Sequence, residues 1–152
     1  TIPGGENASI DRMMNETATR ETFRIKGEST ITVNDYQNGR KFDDALCYSF
    51  YPIDLHTKNG VVPKHLKKGV VPTIPRGSLI PKGSTNLMVA GRCLSSDRLA
   101  NSAARVQASC MGMGQAAACT AVLAAKSSTT PKEVPLGEIH SLLREHGAIV
   151  PA

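Results

Sequence analysis

Apolar and polar positions follow different rhythms along the chain, and each rhythm predicts a different element. The clearest is near the end. In "PLGEIHSLLREHG" (135–147), Leu136, Ile139, Leu142 and Leu143 share one face at helical spacing. Pro135 suits the first turn and Gly147 the position just past the end. Just upstream, "CMGMGQAAACTAVLAAK" (110–126) is small or apolar on every side and predicts a helix from about Gln107 to Lys126, ended by "KSSTTP". Strand signals are β-branched and aromatic clusters: "FRIKGESTI" (23–31), "DALCYSFYPIDLH" (44–56) and "NLMVAG" (86–91). Pro52 marks an edge or a bend in the second. Thr32, with an acid three residues on and Gly39 beyond, predicts a short helix over 33–38.

Polar stretches separate these elements. Residues 1–19 read as a loosely ordered entry, and "KNG" (58–60) as a turn. Gly-Val-Val-Pro occurs at 60–63 and again at 69–72, too short a duplication for a repeat architecture, so a hairpin or loop with matched ends is expected. "PTIPRGSLIPKGSTN" (72–86) should be extended and irregular, and "RCLSSDRLANSAAR" (92–105) a loop with one helical turn.

With 152 residues the chain is long enough for one domain with a real core. Eighteen Lys and Arg against thirteen Asp and Glu give a net charge of +5, which suits a phosphate-bearing ligand without requiring one. Aromatics are scarce, Trp is absent and "KHLKK" (64–68) is the densest basic cluster, so nucleic-acid binding is not expected. Cys47, Cys93, Cys110 and Cys119 form no CxxC pair and have no His at zinc-ligand spacing; no metal site is expected. Their apolar settings favour a reducing compartment, with the cytoplasm ahead. No signal peptide and no apolar run of membrane-spanning length stand out, so no membrane partner is expected. The start, Thr-Ile-Pro-Gly-Gly without Met, suggests a fragment or a processed product.

Gly112-x-Gly114-x-x-Ala117 approaches a dinucleotide-binding fingerprint. That fingerprint needs a strand directly before its first glycine. "ASCM" already looks like first-turn helix, and no acid follows about twenty residues on, so the Rossmann reading fails. Two readings of the small-residue helix stay open. One is close packing alone. The other uses its N-terminus, where backbone N–H groups lack partners and the dipole is positive, to hold a phosphate or a carbonyl that gains negative charge.

"NLMVAGRCLSSDRLANSAARVQASCMGMGQAA" (86–117) resembles the C-terminal flavin-contacting segment of FAD-dependent oxidoreductases in the glutathione-reductase-like two-domain superfamily. The family run is Asn-Leu-Leu-Val-Ala-Gly-Arg-Cys-Ile-Ser, a spacer, Arg-Val, then Cys-Met and Gly-Gln-Ala-Ala-Gly. "RETFRIKGE" (20–28), "YPIDLH" (51–56), "IPRGSLIPKG" (74–83) and "LLREHGA" (142–148) are similar to family pieces in the same order. Nothing here resembles the family's N-terminal FAD-binding βαβ unit. The resemblance implies a mixed α/β fragment of the α+β kind, with residues 20–85 part of a β-rich substrate domain. Residues 86–152 would supply the closing strand, loop and helix of the FAD domain, and the terminal helix. It implies FAD and a small organic substrate as partners in an intact enzyme, weak FAD binding by this part alone, and some self-association of it.

Site roles follow from the resemblance residue by residue. Gly91, Arg92, Arg105, Gln107, Ala108 and Ser109 would bind the cofactor: Arg92 at flavin-side oxygens or phosphate, Arg105 at the flavin or instead at a substrate carboxylate, and the last three through first-turn N–H groups. His56 is the candidate acid/base, with Asp54 two residues away to orient it. Arg98 stands where many members have His, which points to a different substrate or a subgroup and makes it a candidate in the catalytic site. Ala118 replaces the last Gly of the family run, and Gln107-Ala108 stand where many members have Met-Pro. Cys93 and Cys110 follow family positions and are read as packing. The competing readings of the whole are a non-catalytic binding or interaction domain with an Ala-rich core helix, and an isolated fold with affinity for a phosphate ligand.

Overall fold

A computed structural model describes residues 23–57 and 59–152, together with Asn7 and Ser9. The loosely ordered entry expected over 1–19 lies outside the described residues, those two apart, as does Lys58 of the expected turn. The described elements are α1 (Val33–Gln37), β1 (Ala45–Tyr48), β2 (Thr73–Pro75), α2 (Arg98–Ala104), α3 (Gln107–Lys126) and α4 (Leu136–Glu145). Single 3-10 turns occupy Arg76–Ser78 and Gly91–Cys93. The architecture is mixed, helices around a two-stranded antiparallel sheet, in keeping with the α+β expectation.

The sheet is small because its strands are interrupted. β1 pairs with β2 through Ala45–Pro75, Cys47–Ile74 and Tyr48–Thr73, with an irregularity between Ala45 and Cys47. Pairing runs one step further, from Ser49 N–H to the Pro72 carbonyl, before the chain turns away ahead of Pro52. The strand expected over 44–56 is therefore only its first third. Ile53 then pairs with Lys64, and Thr57 with Gly60 around a tight turn. The first Gly-Val-Val-Pro copy forms the return arm of this hairpin, whereas the second leads into β2.

Two further strand expectations are corrected. Residues 23–31 bend at 28–29 and, among the described residues, make isolated pairings rather than a ladder, Gly27 with Pro81 and Ile31 with Ser96. A side chain at Gly27 would come within 2.7 Å of the Gly77 carbonyl oxygen and of Ser95 Cβ. This close seam needs glycine, and its neighbours are turns, which cannot continue a ladder. Residues 86–91 likewise form no strand. Val89 N–H reaches the Leu79 carbonyl at 2.8 Å, and Leu87 is half exposed.

The helices match their patterns more closely. Thr32 caps α1 in a reciprocal box with Asp35. The region expected as a loop over 92–105 holds a two-turn helix, α2, because Asp97 caps it: its carboxylate accepts the Ala100 N–H at 2.8 Å and also the Val33 N–H of α1. α3 spans the predicted residues. Gly112 and Gly114 both lie inside it, not at a strand–helix turn, which excludes the dinucleotide fingerprint on geometry. α3 packs on β1, with Gly112 facing Cys47, and on α4, whose Ile139 and Leu143 are buried. His140 of α4 is half-buried and donates from Nε2 to the Ala45 carbonyl at 2.8 Å.

One apolar cluster joins Ile31, Leu46, Ile74 and Leu79 to Leu94, Ala100, Met113 and Ile139. α3 buries Met113, Ala116 and Thr120 there and leaves Met111 and Val122 exposed on another face. By length and hydropathy α3 meets the requirement of a membrane-crossing helix, contrary to the expectation that no such stretch exists; core helices rich in small apolar residues meet it too.

Candidate functional site at the corner between α2 and α3

α2 and α3 are separated by only Arg105 and Val106. Arg105 ends α2 in helical conformation and Val106 turns to extended backbone, so α3 starts afresh in a new direction. This restart has a chemical consequence. Val106 has no side chain that can cap, and among the described residues α3 has no side-chain cap bond at its start, unlike α1 and α2. Gln107 and Ala108 are exposed, so donor N–H groups of a 20-residue helix face outward with the positive end of its dipole. Ser109 is buried, its hydroxyl 2.8 Å from that of Ser49.

The turn Gly91–Cys93 packs against the same end of α3. Gly91 has φ +85°, a conformation that side chains avoid, and its α-carbon faces Cys110. The Cys110 thiol donates to the Arg105 carbonyl at 3.3 Å, and burial raises its pKa while Arg92 opposes the rise. Arg92 itself is exposed; its carbonyl accepts from Asn101 Nδ2 at 3.1 Å. Gly91, Arg92 and the first turn of α3 therefore meet at one corner.

Arg105 is placed differently from a surface cation. It is only 9% exposed, and Nη2 donates to the Asp54 carbonyl at 3.1 Å. Asp54 N–H donates to Ser102 Oγ at 3.2 Å. The segment carrying His56 is thus docked on α2 beside the corner. His56 is exposed, with Nε2 3.6 Å from Asp54 Oδ1, a separation longer than a hydrogen bond. Asp54 and His56 lie outside any strand, yet an extended chain still sets them side by side. Arg98 is the exposed first residue of α2, so roughly 10 Å of helix separates it from Arg105. The nearby groove of about 350 Å³ is lined by Ile53, Leu55, Thr57, Val62, Lys64 and Leu99 rather than by His56 or Arg98. Sequence reasoning missed Ser49, Ser102 and Asp97; small polar residues carry no signal of burial until the fold surrounds them.

All four cysteines are free thiols. Among the described residues no three His, Cys, Asp or Glu side chains gather as a metal site.

A family model for FAD dependent oxidoreductases matches residues 1–143. The chain belongs to this family. No curated protein and no solved structure gives a match. The family's cofactor fits the donor set at the corner. Uncapped amide donors at the start of α3 suit the electron-rich carbonyl edge of a flavin ring, and the side-chain-free turn at Gly91 permits close approach of a planar group.

Proposed function

We propose that this chain supplies the C-terminal part of a two-domain flavoenzyme of the glutathione-reductase-like kind. In it, the start of α3 faces the flavin pyrimidine, and the segment around His56 faces a small organic substrate. The observation that carries the proposal is the uncapped, outward-facing N-terminus of α3 beside the Gly91 turn.

When bound, FAD would supply the hydride acceptor for oxidation of the substrate. The chain's own residues do the rest. N–H groups of Gln107, Ala108 and Ser109 donate toward the flavin carbonyl edge, where fixed dipoles favour the negative charge of the reduced ring. Arg92 adds positive charge at the same rim, and Arg105 adds its own from beneath. His56 takes a proton from the substrate on its imidazole, with the Asp54 carboxylate beside it. Arg98 offers a guanidinium fork to an anionic group of the substrate.

The experiment compares two polypeptides: these 152 residues alone, and a product extended upstream in the reading frame. The expected result is a yellow, FAD-containing extended protein whose upstream part carries a Gly-x-Gly-x-x-Gly unit, and little FAD retained by the 152 residues alone. An extended product without such a unit and without flavin would remove the reading in favour of a non-catalytic binding domain.

A further inference from the structure

We infer that Ser102, together with Arg105, positions the Asp54–His56 pair for proton transfer; this rests on the proposed acid/base role of His56. Ser102 and Arg105 are three residues apart on α2 and so project from one face. Both hold the same residue of the facing segment. Ser102 Oγ accepts the Asp54 N–H at 3.2 Å, and Arg105 Nη2 donates to the Asp54 carbonyl at 3.1 Å. The direction of the first bond is fixed, because the Ser102 hydroxyl proton goes to the Leu99 carbonyl at 2.7 Å and a lone pair remains for Asp54. Ser102 is 1% exposed, so water does not compete for that lone pair.

Among the described residues, two backbone pairings flank the segment. Ile53 pairs with Lys64 on one side, and Thr57 with Gly60 on the other. Between them, α2 holds both the N–H and the carbonyl of Asp54. Orientation of that backbone sets where the Asp54 carboxylate points, and the carboxylate sits 3.6 Å from His56 Nε2. Ser102 and Arg105 therefore act on His56 through Asp54. Arg105 also immediately precedes the cap of α3, so a single two-residue corner registers the proton-transfer pair against the flavin-facing helix.

The test uses the FAD-loaded full-length enzyme with Ser102→Ala, Ser102→Thr and His56→Ala, folding checked by circular dichroism. Three signals are followed: hydrogen exchange of the Asp54 amide, the NMR signature of the His56 ring, and flavin reduction by a panel of small alcohols, amines and 2-hydroxy acids. Ser102→Ala should speed Asp54 exchange at least tenfold, broaden or shift the His56 ring signals, and lower the flavin reduction rate about tenfold. Ser102→Thr, which keeps the hydroxyl, should restore all three. A Ser102→Ala enzyme with wild-type ring signals and reduction rate, alongside an inactive His56→Ala, overturns the positioning role alone. Undiminished reduction in His56→Ala overturns the acid/base reading and the positioning role with it.

Discussion

Ser109 donates its hydroxyl proton to Ser49. The direction follows from the far end of a buried chain. Tyr36 Oη donates to the Tyr51 carbonyl at 3.2 Å, so Ser49, 3.1 Å away, must donate to Tyr36 and accept from Ser109 at 2.8 Å. The Ser109 hydroxyl is thereby committed to the core, and only its N–H serves the outward-facing end of α3.

That division predicts different outcomes for three substitutions in the FAD-loaded enzyme. Ser109→Ala should cost about 1 kcal/mol of stability and leave the flavin midpoint unchanged. Ser109→Pro removes the N–H as well. A charge-assisted hydrogen bond is worth about 1.5–3 kcal/mol, so the two-electron midpoint should fall by about 30–65 mV. Ala108→Pro, in a turn whose N–H groups have no intrahelical acceptor, should leave the fold intact. Spectroelectrochemical titration reads the midpoints; an unchanged midpoint in folded Ser109→Pro would leave α3 as packing.

Asp97 serves two helices, accepting the Val33 N–H of α1 and the Ala100 N–H of α2. Asp97→Ala leaves both donors without this acceptor and should destabilise by about 2 kcal/mol, near twice the usual loss at a single cap. Asp97→Asn keeps an acceptor oxygen and should lose less. Urea denaturation measures both, and equal losses would show that charge, not the bond to a particular donor, matters here.

Gly114 and Gly91 should respond oppositely to alanine. Gly114 is inside α3 and an added Cβ meets nothing within 4 Å, so Gly114→Ala should stabilise by about 0.5–1 kcal/mol. Gly91 has φ +85°, and Gly91→Ala should destabilise by about 1–2 kcal/mol although Cys110 leaves room for the methyl. Thermal unfolding compares them. A loss of stability in Gly114→Ala would mean that this face of α3 is covered by something besides the described residues.

Burial pushes the Cys47 thiol up to about 12. A raised folded-state pKa means that the unfolded chain loses its proton first. Stability is then full below the ordinary thiol pKa near 8.5 and falls as pH rises from there toward 12, by about 1.4 kcal/mol per unit. Cys47→Ala should flatten that alkaline limb. Tyr36, also raised by burial, is common to both proteins and cancels in the comparison. Denaturation midpoints between pH 8 and pH 10.5 give the slopes, and parallel slopes would show that Cys47 does not contribute.

The helices were legible because their information is local. Thr32 and Asp35, three residues apart, announce α1; the apolar face of 135–147 announces α4; the small-residue run announces α3 over the residues it occupies. α2 was legible only as one helical turn within a loop, since "LANSAA" carries no strong periodicity. The candidate corner was legible through the run 86–117 and its resemblance to a family, not through pattern.

Strands were misjudged for the complementary reason. A β-branched stretch states a preference for extended backbone, but a ladder needs a neighbour to complete it. Residues 23–31 and 86–91 find isolated pairings and single bonds instead of strands. The sequence by itself determined the positions of α1, α3 and α4, the apolar face of α4, and the order of family-like segments. Only the tertiary structure decided that Ser102 and Arg105 would hold Asp54, that Ser49 would accept from Ser109, and that one aspartate would cap two helices. Those bonds join residues far apart in the chain, and a hydroxyl or carboxylate carries no mark of its distant partner until packing excludes water and leaves that partner as its acceptor or donor.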